Sequence, residues 1–269
     1  MILIPFQSAG FKPHLRPGAH EHIALIGCSA PAFTGSSFDH SYQIWDCSAP
    51  NEPGVSAKRG SCDPHGVEKL LYLNPEVKPG PSFDFPVNVS MEIGGKTGIN
   101  YLVLNMHYPG PSHDFPDGWT GESNVQVTMK EVKSRNEKEA VFFFLYVNGF
   151  TDANNSITGF YSFDQPIHVF AFSVHSHTLG EWITVHHEHH ASHDSEMIHA
   201  QDPKVQVEFH FKRIEVMKGD KLRITCRYNI TERMFVKKDD GQEMCVLILQ
   251  YTTDSNHPMS PSYAIMNVL

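Results

Sequence analysis

The stretch HVFAFSVHSHTLG, residues 168–180, decides how this chain is read. Val169, Phe170, Phe172 and Val174 give it the β-branched and aromatic character of a strand, and no helical period of three to four fits the run. In a strand, side chains two apart point the same way, so His175 and His177 present two imidazoles to one face, within reach of a single metal ion. Taken alone, an H-x-H tripeptide is more often a polar pair facing solvent, so the rest of the chain has to decide between the two readings.

Working outward, similar strand-like runs cover residues 22–28, 88–93, 100–108, 125–132, 140–147, 167–175, 205–216, 221–228 and 244–251. Turn clusters such as Pro79-Gly-Pro-Ser, Gly94-Gly-Lys-Thr-Gly98 and Pro109-Gly-Pro-Ser separate them, at the spacing of a sandwich. Only residues 67–73 read as a helical turn or two. The expected fold is all-β, a pair of β-sandwiches. The charged stretch SRNEKE at 134–139 is the best linker and divides the chain into residues 1–133 and 134–269.

Charged residues make up 19% and hydrophobic residues 40% of the 269, the composition of a globular chain long enough for one large or two ordinary domains. A net charge of -9 without a Lys/Arg cluster argues against nucleic acid and anionic membranes as partners. The longest uninterrupted apolar run, 141–147, is far short of the ~20 residues that span a bilayer, so no membrane span is expected. The start, MILIPFQSAGFKP, lacks the basic and apolar regions of a secretory signal. Three sequons (Asn88-Val-Ser90, Asn154-Asn-Ser156, Asn229-Ile-Thr231) and five cysteines nevertheless suit an oxidising compartment. The expectation is a secreted or lumenal glycoprotein whose signal lies upstream of Met1. Its 18 histidines are about three times an average share, and imidazole is the commonest metal ligand.

Two other apolar strands carry a possible ligand. His107 lies at the end of YLVLNMHY, and Met244 opens MCVLILQY. A methionine at a strand start is usually core filler. A thioether beside two imidazoles, however, is a soft set suited to Cu(I), whereas zinc draws carboxylate or thiolate. His20-Glu21-His22 is a second H-x-H, and alone it too reads as polar surface. The run His186-His-Glu-His-His190 cannot supply H-E-x-x-H, because Ala191 stands where the second histidine is needed; this excludes a zincin protease. It reads as a solvated loop within the histidine-rich segment 186–199, binding metal adventitiously. No G-x-S-x-G and no phosphate-cradling glycine loop occurs, which leaves hydrolase and nucleotide functions without support. His175-x-His177 with Glu181 matches the core of a cupin motif, although Val169 and Glu188 occupy the places of its flanking glycines, so a zinc or iron cupin is an alternative. Cys226 and Cys245, at the end of one strand and the start of the next, are expected to pair and to stabilise by about 3 kcal/mol. Cys28, Cys47 and Cys62 leave one thiol over.

Together, EHIALIGC (21–28), IGGKTGINYLVLNMHY (93–108), HVFAFSVHSHTLG (168–180), LRITCRY (222–228) and EMCVLILQY (243–251) resemble the copper type II ascorbate-dependent monooxygenases, in that family's order and near its spacing. The likeness is greatest to the peptidylglycine α-hydroxylating branch. It implies two jelly-roll-like β-sandwich domains facing each other across a cleft, each with one copper. By resemblance His175, His177 and Met244 are the ligands of the oxygen-activating copper. The electron-relaying copper would be held by a His-His pair and a later histidine. Here the pair reads Glu21-His22 and the later residue is His107, so one ligand has become glutamate and His20 stands one place upstream as a substitute. The resemblance also implies a Cys28–Cys62 bridge, Cys226–Cys245, and a partner for Cys47 upstream of Met1.

Substrate recognition departs from the branch. Where it places an arginine, an asparagine and a tyrosine against the substrate carboxylate, this chain has Ser173, Val246 and Ile248. An arginine fork is among the strongest contacts a site can offer a carboxylate, so amidation of peptides is not implied. The function expected is a secreted copper monooxygenase that uses ascorbate and dioxygen to hydroxylate an activated C–H bond of a peptide or small molecule. A non-catalytic copper-binding or interaction protein of the same fold is the alternative in another class.

Overall fold

Alternation of buried and exposed residues recurs along the chain with the two-residue period of a half-buried strand, as in Lys221–Tyr228, where Leu222, Ile224, Cys226 and Tyr228 point inward. The computed structural model describes residues 6–14, 22–32, 47, 60–74, 83–107, 124–131, 138–203, 209–237, 243–254 and 263–268. Among these every regular element is a strand, as the sequence led us to expect. The chain divides into two compact units, Met1–Glu137 and Lys138–Leu269.

Unit 1 holds β1 (Phe6–His14), β2 (His22–Cys28), β3 (Glu68–Asn74), β4 (Phe83–Asp84), β5 (Val89–Ile93), β6 (Tyr101–His107) and β7 (Asn124–Glu131). β2 is the centre of a three-stranded antiparallel sheet between β3 and β6, while β1 pairs with β4, β5 and β7. Phe11 of β1 stacks on Tyr72 of β3, ring centroids 5.2 Å apart, so side chains of the two sheets meet in one core. A Cys28–Cys62 disulfide ties the end of β2 to the segment before β3. Cys47 forms no disulfide among the described residues. Residues 67–73, read from sequence as a helical turn, are mostly β3 instead. The run EKLLYL satisfies either period locally, and pairing with β2 from Ile23 to Cys28 settles it.

Unit 2 holds β8 (Lys138–Glu139), β9 (Val141–Phe150), β10 (Ser156–Ser162), β11 (Ile167–His175), β12 (Gly180–Glu188), β13 (Ser195–Gln201), β14 (Ile214–Val216), β15 (Lys221–Tyr228), β16 (Phe235–Val236), β17 (Val246–Thr252) and β18 (Tyr263–Val268). One sheet runs β10-β15-β12-β13 and the other β14-β11-β17-β9-β16, with β18 parallel to β9. Phe143, Leu145, Phe172, Val174, Leu247 and Leu249 of the second sheet meet Ile183, Val185, Leu222 and Ile224 of the first in a single buried core. The Cys226–Cys245 disulfide joins the two sheets at one end of the sandwich.

Two expectations are corrected here. Residues 186–199 are not a loop. His186–Glu188 belong to β12 and Ser195–Gln201 form β13, a hairpin closed by the bonds His189 N–H to Asp194 O (2.9 Å) and His193 N–H to His189 O (3.0 Å). The strand expected over 205–216 reduces to β14, with residues 204–208 outside those described. The β11–β14 register pairs Val169 with Ile214 and would carry Phe172 onto Phe211, yet Phe172 bridges to His210, one residue away. That slip breaks the ladder.

Candidate metal centre

β11 turns Phe172 and Val174 into the core and Ser173 and His175 onto the opposite face. His177 follows two residues later, just past the strand, and the two imidazoles stand 5.3 Å apart between centroids at 71°. β17 runs antiparallel beside them, with Ser173 opposite Ile248 and His175 opposite Val246. The same register carried two residues further sets His177 against Met244, which lies half-buried ahead of β17.

The residues flanking Met244 fix its backbone from both sides. Glu243 is 1% exposed, and its carboxylate accepts the N–H of His177 at 2.9 Å and of Leu179 at 2.6 Å. One anionic side chain thus ties the methionine segment to the turn after His175, a turn also closed by the Gly180 N–H to His177 O bond of 3.1 Å. On the other side Cys245 is bonded to Cys226, and the Tyr228 hydroxyl donates to the Met244 carbonyl at 2.9 Å. Burial, reinforced by the nearby Glu243 charge, pushes the Tyr228 hydroxyl far up, so it stays a donor. Sequence reading missed Glu243. Its only signal was an acid directly before an apolar strand.

Ser173, Val246 and Ile248 lie on the His175 face of β11 and β17, and all three are buried. The Ser173 hydroxyl has no hydrogen-bond partner among the described residues. Glu181, the acid a cupin would need, instead accepts from Arg227 Nε at 2.8 Å on the partner strand. In unit 1, His22 and His107 are directly paired Cα positions of the β2–β6 ladder. His20 and Glu21 lie outside the described residues.

Fold and site therefore define an all-β protein whose second unit brings an H-x-H segment and the methionine-bearing segment ahead of β17 together at one end of a sandwich. Residues 157–265 match the family model for the C-terminal domain of copper type II ascorbate-dependent monooxygenases. The chain is 26% identical over 264 residues to peptidyl-glycine alpha-amidating monooxygenase A of Xenopus laevis, covering 93% of this chain and 25% of that protein. Against peptidyl-glycine alpha-amidating monooxygenase of Mus musculus it is 26% identical over 268 residues, covering 96% of this chain and 25% of the other. DBH-like monooxygenase protein 1 of Gallus gallus is 24% identical over 196 residues, 64% of this chain and 31% of that one. The chain is similar to the copper type II ascorbate-dependent monooxygenases, as its motifs led us to expect. It spans about a quarter of the length of the amidating monooxygenases it matches. The cupin alternative is left without support. A structure of infectious bursal disease virus Gx strain aligns with a TM-score of 0.26 and 10% identity over 95% of this chain and 58% of that one, too low to bear on the reading.

Proposed function

We propose that the chain is a copper- and ascorbate-dependent monooxygenase that hydroxylates an activated C–H bond, with His175, His177 and Met244 as ligands of its oxygen-activating copper. The observation that carries this reading is the β11–β17 register, which sets the H-x-H segment against Met244 while Glu243 clamps the two together. Two imidazoles and a thioether suit Cu(I) and leave a coordination place open. Copper would supply the one-electron chemistry by which ascorbate and dioxygen convert R–H to R–OH and water. The protein's own part is geometry. Glu243, Tyr228 and the Cys226–Cys245 bridge hold the donor-bearing segments, and Ser173, Val246 and Ile248 line the expected substrate side without a cation. The substrate is then a small molecule, or a peptide held by something other than a free carboxylate. Two disulfides and exposed asparagines at all three sequons favour a secreted or lumenal location. Among the described residues no helix is long and apolar enough to cross a membrane.

The second reading, a non-catalytic copper-binding protein, is favoured by Glu21, which leaves His22, His107 and His20 to hold the first unit's copper. X-ray absorption on the Cu(I)-loaded chain tests the leading reading. It should show a copper–sulfur shell that vanishes in Met244→Ile while circular dichroism is unchanged. An unaltered spectrum would return Met244 to the core. Oxygen uptake under ascorbate separates enzyme from binding protein.

A further inference from the structure

Unit 2 repeats this construction at the other end of β12. Ile183, Val185 and His187 form the inward-facing row of that strand, and His187 is only 2% exposed. His189 follows two residues on, and Asp220, 3% exposed, immediately precedes β15. The β12–β15 register pairs His187 with Leu222, so it sets His189 against Asp220. His187 Nε2 lies 2.8 Å and His189 Nδ1 3.7 Å from Asp220 Oδ2, and the ligand atoms of all three lie within 4.8 Å of one another.

We infer that His187, His189 and Asp220 form a site for a borderline divalent ion of the first transition row, of which Zn2+ is the probe, separate from the proposed copper centre and independent of it. Metal–ligand bonds near 2.0–2.2 Å in a tetrahedral site put adjacent donor atoms about 3.3–3.6 Å apart, and the two observed separations bracket that span. A buried His–Asp pair accounts for His187 alone. It does not account for a second imidazole aimed at the same carboxylate oxygen, with the two rings 4.0 Å apart. Two imidazoles disfavour Ca2+ and Mg2+, and the absence of sulfur disfavours Cu(I). The carboxylate is already oriented, since Oδ1 accepts the His190 N–H at 2.8 Å and Oδ2 the Met217 N–H at 3.0 Å. Burial alone would raise the Asp220 carboxyl, but those N–H groups and the His187 ring bring it below the usual carboxylate range. His189 also borders a cavity of about 250 Å³ lined by Glu188, His190, His193 and Asp194, which gives an ion a way in. A metal on His187 Nε2 takes the place of the hydrogen bond to Asp220, with the imidazole as the tautomer protonated at Nδ1.

The test uses the full chain stripped of metal by chelation and carrying His107→Ala, His175→Ala and His177→Ala, so that neither proposed copper site competes. Calorimetric titration with Zn2+ should show one site. Adding His189→Ala, a half-exposed side chain in the turn, should raise its Kd at least tenfold. Equal affinity with and without the His189 imidazole would overturn the inference. Crystals of the unaltered chain soaked in Zn2+ give a readout free of any substitution. An anomalous peak among His187, His189 and Asp220 supports the site, whereas a peak on His190 and His193, or none, refutes it.

Discussion

Replacing Glu243 with glutamine asks whether one carboxylate holds the centre together. The native side chain accepts two backbone N–H groups, from His177 and Leu179, at 2.9 and 2.6 Å while almost fully buried. Glutamine keeps one oxygen and turns the other acceptor into an NH2 group facing an N–H. One charge-assisted bond is lost and one buried donor is left unsatisfied, each worth about 1.5–3 kcal/mol, partly offset because a buried charge is also removed. The net expectation is about 2–3 kcal/mol, or roughly 6–12 °C in the unfolding transition of a unit of this size. Both N–H groups belong to the turn that carries His177, so releasing either should loosen the imidazole's position against Met244. Changes to partners that orient metal ligands cost roughly 10–100-fold in affinity. Scanning calorimetry on metal-free protein reads the first quantity, and competition with a Cu(I) chelator reads the second. A lowered Tm with copper affinity unchanged within twofold would refute the reasoning, because Glu243 would then serve the fold and not the centre.

Glycine-extended peptides should be poor substrates: with Ser173 in place of a guanidinium, the loss of a charged bond of about 1.5–3 kcal/mol amounts to roughly 10–150-fold in kcat/KM. The chain should then show no preference for such a peptide over its methyl ester, and a strong preference for the free acid would reveal another cation at the carboxylate. Cys226→Ala with Cys245→Ala opens a loop of sequence separation 19 and should cost about 3 kcal/mol, measured by urea unfolding; no change in midpoint would mean the sheets are held together without the bridge. Copper titration should give one tight and one weaker site, the weaker lost in His107→Ala and indifferent to Met244→Ile. Two equally tight sites with fast ascorbate-driven turnover would show that Glu21 leaves the relay unperturbed.

The strands β2, β11 and β15 were legible to the residue because their core-facing positions are apolar throughout and turn chemistry bounds them. β12 and β13 were not, since histidine occupies inward and outward places alike and its alternation carries no hydropathy signal. The ligand candidates of unit 2 were readable because each sits at the end of an obvious strand. Glu243 and Asp220 were not, because their roles depend on which distant strand pairs with which, and in what register, and no local window of sequence contains that information.

The run His186-His187-Glu188-His189-His190 also protects its own alignment. Glu188 is held on the outward face by Arg223, Nε to Oε1 2.5 Å, while its neighbours on either side face Asp220. Inserting or deleting one residue between Val185 and His186 would carry Glu188 into the place of His189 or His187. There a second anion would meet an Asp220 that is already charged and buried. Changes of two residues would keep each side chain on its face and alter only how far the arm projects. Length variation in this arm should therefore be tolerated in even steps and rejected in odd ones.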